Sequence, residues 1–162
     1  MTETDRARTD SVASVVLTGE SQGSEWVANQ QREREQAIAD LRVSASFKPV
    51  GLDGPFNLHL SVQSGRLVLD VRDAADRELR VFVFSLSPFR RLIKDYQLLV
   101  ESYEHAIQDG RTQAIQAIDM GRRGLHDEGA TLMIQRLEGK IVIDFETARR
   151  LFTLVCVLHQ RI

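Results

Sequence analysis

From Asp144 to His159 the chain reads DFETARRLFTLVCVLH, and between Leu151 and Leu158 the only polar side chain is Thr153. Asp144 is suited to cap a helix start, and Glu146 puts negative charge in the first turn, where the helix dipole favours it. On a helical wheel Ala148, Leu151, Val155 and Leu158 share one face, while Cys156 and Val157 fall on the far side. A helix apolar all round in its second half must be buried on most sides. The run is too short to cross a bilayer, so it is a core helix that other elements have to surround.

The rest of the chain supplies those elements. At 162 residues it suits one globular domain, read as residues 11–162 behind a loose polar tail at 1–10. Val12 to Leu17 is a first strand, rich in β-branched residues. Thr18 to Ser24 is a loop whose Ser24 caps a helix from Glu25 to about Val43. The QQREREQ stretch in that helix is nearly all polar, which places it on the outside of the domain. Lys48 to Pro55, with Pro49, Gly51, Gly54 and Pro55, reads as a connection.

Phe56, Leu58, Leu60 and Val62 alternate with Asn57, His59, Ser61 and Gln63, the pattern of a half-buried strand. Ser64-Gly65 turns the chain, and Leu67, Leu69 and Val71 continue the alternation on the way back. Glu78 to Leu86 is apolar on both faces, which suits a more central strand. His59 falls on the wet face of this meander, where ordinary solvation accounts for it. Ser87-Pro88 then opens a helix in which Phe89, Leu92, Ile93, Tyr96, Leu99, Val100, Tyr103 and Ile107 form one stripe, ended by Asp109-Gly110. Arg111 to Leu137 is helical in period despite Gly121, Gly124 and Gly129. A continuous helix places Ile118, Gly121, Leu125, Gly129 and Leu132 on one face. The fold expected is α+β: a small antiparallel sheet of three or four strands followed by three helices packed on one face. The C-terminal helix is central in that layer and the first helix peripheral.

A net charge of -2 gives no general attraction to nucleic acid or anionic membrane, and neither is expected as a partner. One cysteine, Cys156, excludes an internal disulfide and is read as a small core residue. No apolar stretch has the length of a signal peptide or a membrane span, which points to a soluble cytoplasmic protein. Glu101 and His105 stand four apart, yet no second ligand pair accompanies them, and no metal or other cofactor is expected. Neighbours His126, Asp127 and Glu128 point about 100° apart on a helix and cannot converge.

Arginine pairs stand at Arg90-Arg91, Arg122-Arg123 and Arg149-Arg150. Helical spacing offers Asp95 to Arg91, Asp119 and Asp127 to Arg123, and Glu146 to Arg150. Arg122 stands apart because a continuous helix puts it inside the apolar stripe. A guanidinium there needs a carboxylate or an anionic ligand. The favoured reading is a structural ion pair. The alternative is a small-anion or phosphometabolite site, open to catalysis, formed by Arg122 and His126 with Arg90, Arg91 and Lys94 from the start of the preceding helix.

Three stretches carry a resemblance. SLSPFRRLIKDY from Ser85 to Tyr96, AIDMGRRGLHDEG from Ala117 to Gly129 and DFETARRLFTLVCVLH at the end resemble, in order and spacing, the bacterial uncharacterised protein family 0262. The resemblance implies a free-standing bacterial protein of this size and carries over no activity, cofactor or catalytic residue. With no catalytic constellation in the sequence, the reading is a non-catalytic binding or regulatory protein. It would act through its helical surface, with Leu98 and Val157 left outside, on an unknown protein partner or a second copy of itself.

Overall fold

A computed structural model describes residues 9–18 and 28–159, with only the backbone at positions 28 and 29. The expected tail at 1–8, the Ser24 cap and the first turn expected from Glu25 lie outside the described residues. Thr9 and Asp10, expected in the tail, are tied to the body: their carbonyls accept from Gly54 N–H and Phe47 N–H at 2.7 and 2.8 Å.

Strand β1 (Val12–Leu17) is followed by helix α1 (Ala28–Ser44), then by β2 (Phe47–Pro49), β3 (Phe56–Gln63), β4 (Arg66–Arg72) and β5 (Glu78–Ser85). Helices α2 (Arg90–Gln108) and α3 (Thr112–Leu137) come next, then β6 (Ile141–Ile143) and α4 (Phe145–Leu158). The fold is α+β. A four-stranded sheet runs β1-β3-β4-β5, and β2 pairs with β6 in a separate two-stranded sheet.

The meander β3-β4-β5 is antiparallel, as the short turns require, but β1 joins β3 in parallel, so the sheet is mixed. β5 is not central. It ends the sheet, and the side chains that made it look two-sided are half-exposed: Val81 is 50% and Val83 51% accessible. The connection expected at Lys48–Pro55 begins inside β2, and Lys140–Ile143 contains β6. Three-residue strands carry too little alternation to be read from a pattern.

On its other face the sheet meets the helices. Leu60, Leu67 and Leu69 face Met133 and Leu137 of α3 and Leu151 and Val155 of α4. Asp144 caps α4 by accepting from Thr147 N–H at 2.8 Å. The helix lies between α1 and α3 and also touches α2 and β3. Every residue from Leu151 to Val157 is buried, and Val157, at 1% exposure, is not left outside. α1 flanks this layer, burying Ala37 and Leu41 against it.

α3 is continuous through its glycines. Gly129 is the one that matters for packing, since a Cβ there would lie 2.4 Å from Phe152 Cγ. The inward face in its second half is Gly129, Ala130, Met133 and Leu137, rather than the whole expected stripe; Gly121 is exposed. Ser87 does not cap α2. Ser87–Phe89 form a 3-10 turn with Pro88 in its first positions, and α2 begins after Phe89 with no side-chain cap. Gly110 ends the helix at φ 66°, a conformation open to glycine.

Candidate functional site

The conspicuous polar cluster lies among the helices. Tyr96 of α2 is buried, and its hydroxyl donates to Glu33 Oε2 of α1. Arg122 Nη1 of α3 stands 2.7 Å from Glu33 Oε1, a close charge contact rather than an aligned hydrogen bond. Asp119 lies 3.6 Å from the other guanidinium nitrogen, and the Arg122 guanidinium sits 5.6 Å from the Tyr103 ring centre. Arg122 therefore has the carboxylate partner that the structural reading requires. Glu33 is the residue that sequence reasoning missed. It belongs to the polar QQREREQ stretch, yet it precedes Ala37 and Leu41 at four-residue steps and so points along their buried face.

His126 stacks on Tyr96 with ring centres 5.7 Å apart and meets Phe152 edge-on at 6.1 Å. Burial, then the charges of Arg149, Arg122 and Arg150, push its pKa down to about 4, against a weaker upward pull from Asp127. The ring is therefore neutral at physiological pH. Cys156 is fully buried nearby, and burial and the Glu33 charge raise its thiol pKa, which favours the protonated thiol of a packed core residue. Burial and the same carboxylate push the Tyr96 hydroxyl up as well.

The candidate residues do not meet in one site. Arg91 pairs with Asp95 at 3.3 Å and with Glu128 of α3 at 2.8 Å. Arg90 and Lys94 are exposed, and neither has an ion pair among the described residues. Arg122 turns instead to Glu33 and Tyr103, while the Glu128 that Arg91 reaches lies six residues, or about 9 Å, further along α3. Arg122 and His126 share a cluster with Tyr96, Arg91 is engaged by Asp95 and Glu128, and among the described residues no bond ties Arg90 or Lys94 to that cluster. The acids expected for Arg123 are engaged by others, Asp119 with Arg122 and Asp127 with Arg149 at 3.5 Å, and Arg123 itself is exposed. Arg150 reaches Glu146 and also Asp40 of α1, at 3.6 and 3.1 Å. His126, Asp127 and Glu128 diverge towards Tyr96, Arg149 and Arg91. Among the described residues no group of three or more His, Cys, Asp or Glu is placed to hold a metal ion.

A second polar network lies on the sheet. His59 is not merely solvated. Its Nε2 is 2.9 Å from Asp76 Oδ1, and Arg72 binds both Asp70, at 2.9 Å, and Asp76, at 3.2 Å. The bond to His59 leads the causes that hold the Asp76 carboxyl below its usual range. Beside this network, on β5, stand Val81, opposite Asp70, and Val83, opposite Val68.

Among the described residues no helix is long and apolar enough to cross a membrane. No solved structure matches the chain. Relatives that carry the family's name include a protein of Granulibacter bethesdensis, 60% identical over 142 residues, covering 82% of this chain and 81% of that protein. One from Acidiphilium cryptum is 53% identical over 148 residues, covering 90% and 91%. One from Xanthobacter autotrophicus is 45% identical over 161 residues and covers 98% of each chain. The model of the Uncharacterised protein family (UPF0262) matches residues 9–161, and the chain belongs to that family.

Proposed function

We propose that this is a non-catalytic binding protein that takes up a strand of its partner at the β5 edge. The observation that supports the reading is the pair Val81 and Val83, half-exposed on a strand whose outer side no described strand occupies. An edge strand offers backbone donors and acceptors in a row, and alternate side chains give the added strand its specificity. The helices support a different role. Arg122–Glu33, Arg150–Asp40, Arg149–Asp127 and Arg91–Glu128 each join two helices, so these charged groups neutralise one another instead of facing a ligand. Leu98, Ile107 and Met120 are exposed on helices, as scattered apolar residues are on most protein surfaces.

A cytoplasmic location is part of the proposal. The buried free thiol of Cys156 is at ease in a reducing compartment, and cell fractionation tests the assignment. The net charge of -2 supports a protein rather than a nucleic acid as the partner.

Affinity capture with tagged wild type and tagged Val81→Lys tests the binding reading. A defined protein, a further copy of the chain included, should be retained by the wild type and lost with the variant. Retention by neither counts against strand docking. The anion-site reading would gain instead if a small phosphate or carboxylate raised the melting point of the wild type but not that of a folded Arg122→Ala.

A further inference from the structure

The two ends of the main sheet are treated differently. At β1, α1 lies against the strand, and Arg42 Nε–H donates to the Ala13 carbonyl at 3.1 Å. At β5 no strand of the described residues pairs with the outer side. The ladder shows which groups point that way. Leu86 N–H donates to the Gly65 carbonyl at 3.0 Å, in the register that pairs Phe84 with Leu67 and Phe82 with Leu69. Bonded and non-bonded residues alternate in an antiparallel ladder, so Phe84 and Phe82 turn their backbone groups towards β4. Val81, Val83 and Ser85 turn theirs outwards.

Edge strands in monomers are usually blunted by lysine, proline or a bulge. β5 has no lysine or proline. It does carry a bulge, at Leu79, the extra residue between Arg80, opposite Val71, and Glu78, opposite Arg72; the bulge stands at the start of the strand and leaves Arg80 to Ser85 regular.

We propose that the occupant of this edge is β5 of a second copy, paired antiparallel about a two-fold axis at Phe82. This rests on the strand-docking reading above and names the partner. In that register the outward groups of Val81 bond those of the partner's Val83, and the reverse, so four valines meet on one face. Phe82 stands opposite the partner's Phe82, and Arg80, which donates to the Val50 carbonyl at 2.8 Å, stands opposite the partner's Phe84, whose ring already holds its own Lys140 at 5.2 Å. Self-pairing also closes the assembly. A two-fold pair uses the β5 edge of each copy once, and at the other end α1 lies against β1 with Arg42 on the Ala13 carbonyl, so the pair gives an eight-stranded sheet rather than a fibre. A net charge of -2 per copy sets little repulsion against this.

Sedimentation velocity of the purified full chain across the micromolar range tests the proposal, with wild type and Val83→Lys in parallel. The wild type should pass from the 18.3 kDa chain to twice that mass. Lysine at this half-exposed site should raise the midpoint concentration of association by more than about tenfold. The melting point measured at low concentration should be unchanged. A wild type that stays monomeric throughout overturns the proposal, as does a dimer that Val83→Lys leaves intact. Should the variant fail to fold, hydrogen exchange on the wild type decides. Val81 and Val83 amides must be protected at high concentration and exchange faster on dilution, and concentration-independent exchange overturns the dimer. A monomer that still captures a different protein, and loses it with Val81→Lys, ends the self-pairing and leaves strand docking standing. A monomer that captures nothing ends both.

Discussion

His126 is held between the rings of Tyr96 and Phe152 with Arg149, Arg122 and Arg150 around it, so its charged form is disfavoured in the folded protein. Its folded pKa of about 4 lies below the 6.5 of an unfolded histidine, so the unfolded chain takes up the proton first as pH falls. Stability from the neutral ring is therefore complete above about pH 6.5 and is lost progressively towards about pH 4, by up to about 3 kcal/mol. In denaturant titrations at a series of pH values, wild type should lose that much more stability than His126→Phe, which keeps a ring between its neighbours. Equal slopes in both proteins would remove His126 as the cause. Arg122 and Arg123 give a contrast within one dipeptide. Arg122→Ala leaves Glu33 and the Tyr96 hydroxyl without their cation and should cost about 2–3 kcal/mol, whereas exposed Arg123→Ala should stay within about 0.5 kcal/mol. Equal losses in thermal unfolding would contradict the assignment. That Arg122 needs a counter-charge was legible from its place in an apolar stripe. That Glu33 supplies it was not, because the two meet only when α1 and α3 are brought together.

α3 shows how one residue type has opposite consequences along one element. Gly129 lets α3 approach α4, and a methyl group there would collide with the Phe152 ring, whose root cannot swing away. Nothing lies within 4 Å of a Cβ built on Gly124. Gly124→Ala should therefore stabilise by about 1 kcal/mol through helix propensity. Gly129→Ala should destabilise by about 1–3 kcal/mol through overpacking, despite the same propensity gain. Melting points that move in the same direction would show that propensity, not packing, governs both. Long periodic elements were legible: β3, β4, α2 and the continuity of α3 follow from spacing. β5 was misplaced for a definite reason. Alternation reports which side chains avoid water, and a strand apolar on both faces looks alike at the centre of a sheet and at an unfilled edge. β2 and β6 are recognisable only as a pair, since each is defined by the other.

At the scale of the molecule, sheet and helices share one hydrophobic cluster that takes in buried residues from β1 through α4. Ion pairs from each of the three arginine dipeptides cross between helices around it. Such a body should unfold as a unit. Loss of far-UV helical signal and loss of the near-UV signal of packed aromatic rings should coincide in denaturant, and separate midpoints would mean that the helical layer and the sheet are distinct folding units. The apolar run of α4 by itself determined that a helix would be enclosed, and Asp144 determined where it starts, because both are properties of adjacent residues. The α+β class followed from the order of alternating and helical segments. Only tertiary structure decided that β1 lies parallel to β3, that α1 supplies the carboxylate for Arg122, and that β5 is left at the edge. Each of these depends on which distant segments become neighbours, and local spacing carries no record of that.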